Sequence, residues 1–211
     1  MKKLAIWLVN IGICYSDLLG SRRLGLNFMI QELKKKVRKE AFNNRQKAFA
    51  ADIGNSASLL SSVLAGYRGV PIAGYLPIKT EIDPLSAMEE ASAHSLVGVP
   101  VIQGHSKPLK FSRWEPGCHL EKGPFDVQIP VNSYYFDPEV LIIPMVGFDR
   151  NGGRLGYGGG FYDRTLEYLR SRHATLAIGF AYSQQEFNNL PLEATDQKLD
   201  IIITEREIIE F

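Results

Sequence analysis

Residues 140–164 read Val140-Leu141-Ile142-Ile143-Pro144-Met145-Val146-Gly147-Phe148-Asp149-Arg150-Asn151-Gly152-Gly153-Arg154-Leu155-Gly156-Tyr157-Gly158-Gly159-Gly160-Phe161-Tyr162-Asp163-Arg164. The first four are apolar and mostly β-branched, and so short a run predicts a strand buried on both faces. A polar turn at Asp149-Arg150-Asn151-Gly152-Gly153 follows, then a glycine-rich loop, and Phe161 opens a helix. Glycine lets the backbone take positive φ and bring its N–H groups close to a ligand. Successive N–H groups make a concave anion site, and the helix N-terminus adds partial positive charge. Arg154 and Arg164 flank the loop with full charge. Phosphate fits this chemistry best; a flexible loop at a sheet edge is the plain alternative. The loop is not a Walker A motif, because no Gly-Lys-Ser/Thr follows, and the further glycines and Arg154 fit a dinucleotide fingerprint badly.

The rest of the chain sets bounds on the answer. Its 211 residues suffice for a single core. At 45% hydrophobic and 22% charged it has an ordinary globular composition. A net charge of +1 exerts no general pull toward nucleic acid or membrane. Two cysteines, Cys14 and Cys118, make no disulfide framework and fit a reducing compartment. Cys118 has no identifiable activating neighbour in sequence.

Working outward from the glycine loop, residues 29–50 are rich in helix formers, with Leu33, Val37, Ala41 and Phe42 at helical spacing. The opposite face carries Lys34, Lys35, Lys36, Arg38 and Lys39, and reads mainly as solvated. Residues 56–67 predict a second, mostly buried helix, and residues 70–75 a first strand. The loop 76–83 then leads into a helix from Pro84 to about Leu96, with Asp83 as its N-cap. Strands are expected at 99–102, 108–114, 174–181 and 201–204, a helix at 161–172, and a short helix or turn at 184–190. Strands alternating with helices imply a mainly parallel sheet covered on both faces. Ligands then bind outside the carboxyl ends of the strands, where the 76–83 and 147–163 loops meet. His105 and His119 lack zinc spacing; Trp114 and Phe125 read as packing, and Asp200 as a turn carboxylate.

The run Arg154 to Arg164, following Ile143 to Asp149, resembles the signature of the 5-formyltetrahydrofolate cyclo-ligase family. Weaker similarity extends from about Gln31 to the C-terminus. The resemblance implies a three-layer α/β/α, Rossmann-like domain. It implies an ATP- and Mg2+-dependent enzyme that cyclises 5-formyltetrahydrofolate to 5,10-methenyltetrahydrofolate through a phosphorylated formyl oxygen. ATP is then expected at Lys34, Arg154, Leu155, Gly156, Tyr157, Gly158, Gly159, Gly160, Phe161 and Tyr162. The folate is expected at Arg38, Leu76, Glu81, Tyr157, Gly158, Gly159, Gly160 and Phe161. Lys34 and Arg38 sit four apart, on one helix face. Asp163 and Asp196 are the expected Mg2+ ligands. A cytoplasmic monomer without nucleic-acid or membrane partners is implied. The chain departs from the family at Ile129-Pro130, where a Glu-Pro pair is common. It departs also at Tyr157 and Gly159, where some members carry a basic residue, so modest nucleotide affinity is expected.

Lys2-Lys3 before the apolar run Leu4–Cys14 has the form of a secretory signal, yet no Ala-x-Ala site follows. An extra N-terminal strand or helix is a second reading; the expectation is instead a natural start at Met29, with residues 1–28 a non-native or disordered extension. Two other readings of function stay open. One is a non-catalytic protein that binds a folate or phosphate ligand. The other is an enzyme of similar fold acting on sugar phosphates or acyl-CoA, which would use the glycine loop for phosphate but would not need Glu81 or Asp196.

Overall fold

The computed structural model describes residues 15–124, 127–131 and 134–211. The signal-like run Leu4–Cys14 and Phe125 lie outside the described residues. The helices are α1 (Tyr15–Ala51), α2 (Ser58–Leu64), α3 (Leu85–Ser92) and α4 (Phe161–Arg170). The strands are β1 (Ile72–Ala73), β2 (Val97–Val101), β3 (Lys110–Arg113), β4 (Leu120–Lys122), β5 (Gln128–Pro130), β6 (Tyr135–Phe136) and β7 (Val140–Pro144). They continue with β8 (Gly147–Asp149), β9 (Arg154–Leu155), β10 (Leu176–Phe180), β11 (Glu186–Phe187), β12 (Ile201–Ile203) and β13 (Ile208–Glu210).

An 8-stranded sheet runs β13-β12-β10-β7-β1-β2-β3-β6. Its centre, from β12 to β2, is parallel, and antiparallel strands close both edges. In chain order the parallel strands lie second, first, third, fourth, fifth, so the winding reverses between β1 and β7. Such a reversal opens a crevice at the carboxyl ends of the two strands.

β7 is buried throughout its apolar run, and its side chains alternate between two cores. Val140 and Ile142 pack with Leu60, Leu64, Ala87 and Met88 from α2 and α3. Leu141 and Ile143 pack with Leu166 and Leu169 from α4. Helices therefore cover both faces, which gives the three-layer α/β/α arrangement.

Several elements differ from expectation. The first helix begins before residue 29: it is continuous from Tyr15 to Ala51. Leu33 was expected inside but is 49% exposed, while Lys34, Ala41, Arg45 and Ala48 form the buried stripe. Of these only Lys34 lines a cavity, while Ala48 packs in the core with Leu60 and Leu64, so one helix face serves both. The second helix is shorter and only half-buried, with Leu60 and Leu64 its buried residues. β1 shrinks to two residues of the expected six, because the chain leaves the sheet at Gly74 to build the 76–83 loop. α3 ends at Ser92 rather than near Leu96. Its N-cap is Pro84, one residue later than expected, though Asp83 Oδ1 still accepts the N–H of Leu85, the first helical residue, at 2.8 Å.

The largest difference lies between β7 and α4. The chain makes an antiparallel hairpin, β8–β9, before the glycine loop, and β11 adds to it alongside β8. Asp149 organises the turn. Its buried carboxylate accepts N–H groups of Asn151 and Gly153 through Oδ1 and of Leu190 through Oδ2. Asp52, just after α1, ties the helix to the sheet by accepting the Tyr182 hydroxyl at 2.8 Å. Burial pushes the Asp52 carboxyl up, but bonds from Ser56, Gly54 and Tyr182 hold it below its ordinary range.

Candidate active site

The reversal between β1 and β7 opens into a cavity of about 780 Å3. That lies within the range of small-molecule sites. Tyr75 and Leu76 line it from the end of β1, Pro100 and Ile102 from β2, and Pro144 from β7. The glycine loop forms one wall and α1 another. Every residue expected to meet ATP, folate or metal lines this cavity: Lys34, Arg38, Leu76, Glu81, residues 154–163 and Asp196. A second cavity, of about 680 Å3 beside Arg113, Cys118 and His119, holds none of them. Among the described residues no helix is long and apolar enough to cross a membrane.

Two cation–carboxylate clusters occupy the polar end. Lys34, only 4% exposed, donates to Glu193 at 2.8 Å and to Asp196 at 2.6 Å. Gln31 donates to the same Glu193 oxygen at 2.9 Å. Arg154, also buried, donates to Asp163 at 2.7 Å and to the carbonyl of Gln197. Burial lowers the Arg154 pKa, against the pull of Asp163. Asp163 also accepts the Gln197 N–H at 3.0 Å, which joins the start of α4 to the 193–197 loop. Asp200 stands apart, accepting Ala177 N–H and Arg170.

The donor set suits magnesium. Mg2+ prefers carboxylate oxygen, takes few protein ligands, and shares phosphate oxygens and water. The described hydrogen bonds use only Oδ1 of Asp163 and Oδ2 of Asp196, so the other oxygen of each carboxylate remains for a cation. Among the described residues no three His, Cys, Asp or Glu side chains converge to hold a metal unaided. An ion here would take part of its shell from a bound phosphate.

The glycine loop is held from both sides. The Arg38 Nε donates to the Gly156 carbonyl at 2.9 Å. Burial lowers the Arg38 pKa, while Asp196 and Glu193 pull it back up. Arg164 donates to the carbonyls of Gly159 and His105 at 2.8 Å each, and its guanidinium lies over the Phe161 ring. Gly158 has φ +103, and a Cβ there would meet the Arg38 guanidinium at 3.3 Å. Gly160, with φ +62, leads directly into α4. Both positions lie where a side chain is strained.

At the other end of the cavity stands Glu81, 5% exposed, accepting the Ile78 N–H at 3.0 Å. Burial raises its pKa, against the Ile78 N–H, Arg45, Tyr157 and Lys79. Burial and the Glu81 charge also push the Tyr162 phenol well above the tyrosine range. Lys79, at φ 56, holds a left-handed conformation unusual for its type, with its ammonium 5.6 Å from the centre of the Tyr157 ring.

Sequence reading missed Arg45, which reaches the back of this wall, and Gln31, Lys79, Glu193 and Thr195, which line the cavity. Glu193 lies three residues before Asp196, a spacing that places two carboxylates in one turn. Arg45 follows Arg38 by seven residues, on the same helix face.

The chain matches the profile of the 5-formyltetrahydrofolate cyclo-ligase family over residues 30–205. The chain belongs to that family. It is similar to the cyclo-ligase of Haemophilus influenzae, 38% identical over 98 residues, 46% of this chain and 47% of that protein. It thus matches about half the length of that relative. It is 26% identical over 185 residues to the cyclo-ligase of Mycolicibacterium smegmatis, covering 81% of this chain and 93% of that one. Among solved structures it is similar to the 5,10-methenyltetrahydrofolate synthetase of Aquifex aeolicus. That likeness has a TM-score of 0.60 and 28% identity, over 86% of this chain and 92% of the other. Family membership and the doubly wound fold therefore agree.

Proposed function

We propose that this protein cyclises 5-formyltetrahydrofolate to 5,10-methenyltetrahydrofolate, consuming ATP and releasing ADP and phosphate. One observation carries the reading. A family-type glycine loop, two cation–carboxylate clusters and a buried glutamate share one cavity at the reversal of the sheet.

The chemistry explains why such residues are needed together. A formamide oxygen is a poor leaving group. Transfer of the γ-phosphoryl group to it breaks the bond to ADP and forms an iminium phosphate. N10 then attacks the formyl carbon and loses its proton, and phosphate departs with the former formyl oxygen. Positioning and charge stabilisation supply the catalysis in phosphoryl transfer of this kind.

Lys34, Arg154 and the N–H groups of residues 156–160 hold the triphosphate. Arg38 and Glu81 orient the folate, with Leu76 against its ring system. A buried carboxylate can accept paired N–H bonds from the edge of a pterin ring. Residues 157–161 lie between the two ligands and exclude water from the phosphorylated intermediate. Asp163 and Asp196 would hold Mg2+. Bound there, the ion would supply positive charge to offset the negative charge of the phosphates. Nothing in this scheme needs a covalent nucleophile, so Cys118 has no part in it. The reading places the enzyme in the cytoplasm, where ATP and reduced folates meet, acting as a monomer on small molecules alone.

The test is the absorbance of the methenyl product on mixing protein, Mg-ATP and 5-formyltetrahydrofolate under mildly acidic conditions. A rise only with ATP supports the reading. No rise, from a folded protein that binds the folate, supports a non-catalytic binder instead.

A further inference from the structure

Arg45 lies on α1 with 1% of its surface exposed, among the largest fully buried side chains of the described residues. It does not line the cavity; it stands behind the wall that does. Its three donor positions reach three different segments. Nη2 donates to the Tyr157 hydroxyl of the glycine loop at 2.7 Å. Nε donates to Thr80 Oγ1, in the 76–83 loop, at 3.1 Å. Nη1 meets the carbonyl of Met145, just after β7, at 3.5 Å, and lies 3.7 Å from Glu81 Oε1. The guanidinium also lies over the rings of Phe42 and Tyr157, at 5.3 and 5.4 Å from their centres.

A cation this deep is costly unless its donors and charge are matched. A core that needed only volume here would take an apolar side chain. The planar fork of arginine supplies several donors in a fixed geometry, which a lysine cannot reproduce. Two of the matched groups, Tyr157 and Glu81, line the cavity at its folate end.

We propose that Arg45 is a positioning residue for the formyl-folate, holding the Tyr157 side chain and the Glu81 carboxylate in one fixed relation from behind the cavity wall. The inference rests on the function proposed above and adds to it a residue that touches neither substrate. Glu81 is faced by Arg45 from α1, Lys79 from its own loop, Tyr75 from the end of β1, Tyr157 from the glycine loop and Tyr162 from α4. Arg45 favours the ionised form of Glu81, which is the form that accepts N–H bonds. Without it the carboxylate protonates at higher pH, and folate affinity disappears at higher pH as well.

The experiment is calorimetric titration of the full chain with 5-formyltetrahydrofolate, and separately with Mg-ATP, across pH, for wild type, Arg45→Gln, Arg45→Lys and Thr80→Val. Arg45→Gln should weaken folate binding about tenfold or more at neutral pH and move its acid loss upward, while ATP affinity changes less than about threefold. Arg45→Lys keeps a charge but not the fork. It should restore the pH profile without restoring the affinity. Thr80→Val removes one acceptor of the fork and should weaken folate alone, several-fold. A folded Arg45→Gln with wild-type folate affinity and pH profile overturns the proposal, and so does equal loss of both ligands. If Arg45→Gln does not fold, unchanged folate affinity in Thr80→Val overturns it instead. Wild type that fails to bind 5-formyltetrahydrofolate removes the proposed function, and this inference with it. Wild-type binding matched by the variants removes only the role of Arg45.

Discussion

Arg154 joins the strand β9, the start of α4 and the 193–197 loop through its bonds to Asp163 and Gln197. Arg154→Ala should lower kcat/KM by about a hundredfold or more, the cost of removing a fixed charge from a site of charge development. Steady-state kinetics checks this, and Arg154→Lys should recover only part, lacking the fork. Glu81 gives a pH prediction. Its folded-state pKa is raised from 4.5, chiefly by burial. The fold therefore favours its protonated form, and its contribution to stability is lost as pH rises through the raised value. Glu81→Gln does not titrate there, so wild type should lose Tm relative to the variant as pH rises above 4.5. Parallel melts of the two proteins read that difference directly, and the variant should bind folate poorly throughout. At this scale Lys34 and Arg38 were legible, because their spacing of four and the family resemblance point to the same helix face. Arg45 was not. Within a basic helix a buried arginine and a solvated one look alike, and only the acceptors at Thr80, Met145 and Tyr157, far away in sequence, tell them apart. Glu193 escaped for the same reason: its partner Lys34 stands on the first helix.

At the scale of elements, the glycine loop is where backbone rather than side chain is decisive. Gly158→Ala places a Cβ at φ +103, 3.3 Å from the Arg38 guanidinium. It should cost about 1–2 kcal/mol in stability. It should lower activity by more than that strain accounts for, because Arg38 is displaced. Chemical denaturation and kinetics on one preparation separate the two effects. β7 was readable from four apolar residues, since a strand covered by helices on both faces needs no polar alternation. The β8–β9 hairpin was hidden. Gly147-Phe148-Asp149 and Arg154-Leu155 are too short to show a period of two, and buried Asp149 looks like an ordinary turn residue until Leu190 donates to it. α1 misled at Leu33, where Lys34 turns inward to a charged cavity, while Ala41 is buried as expected.

At the scale of the whole molecule, the order of the parallel strands decides where ligands go. The loops after β1 and β7 diverge at the reversal, and the cavity follows from that divergence rather than from any one residue. Alternating strands and helices made this layout legible, and β3 falls inside the strand expected at 108–114, while the antiparallel edges β6 and β13 drew no expectation. The family match begins at residue 30, inside α1. We propose that a chain starting at Met29 holds the complete domain. It should melt within about 2 °C of the full chain, as small surface changes do, and retain methenyl-forming activity. Lost cooperativity in its melt would show that residues before Met29 belong to the fold.

Lys34 is paired with Glu193 and Asp196, and Arg154 with Asp163. The groups proposed to attract phosphate are thus neutralised by the groups proposed to attract magnesium. A phosphate arriving alone draws these cations away and leaves their carboxylates uncompensated, while a metal arriving alone adds positive charge beside cations already paired; arriving together, each balances the charge that the other brings. Metal and nucleotide are then thermodynamically linked, and the linkage is reciprocal. ATP titrated without Mg2+ should bind at least about tenfold more weakly than with it, and Mg2+ should tighten by the same factor when ATP is present. Tight binding of metal-free ATP would contradict this. The site so arranged answers to the complex of the two and largely ignores either one by itself.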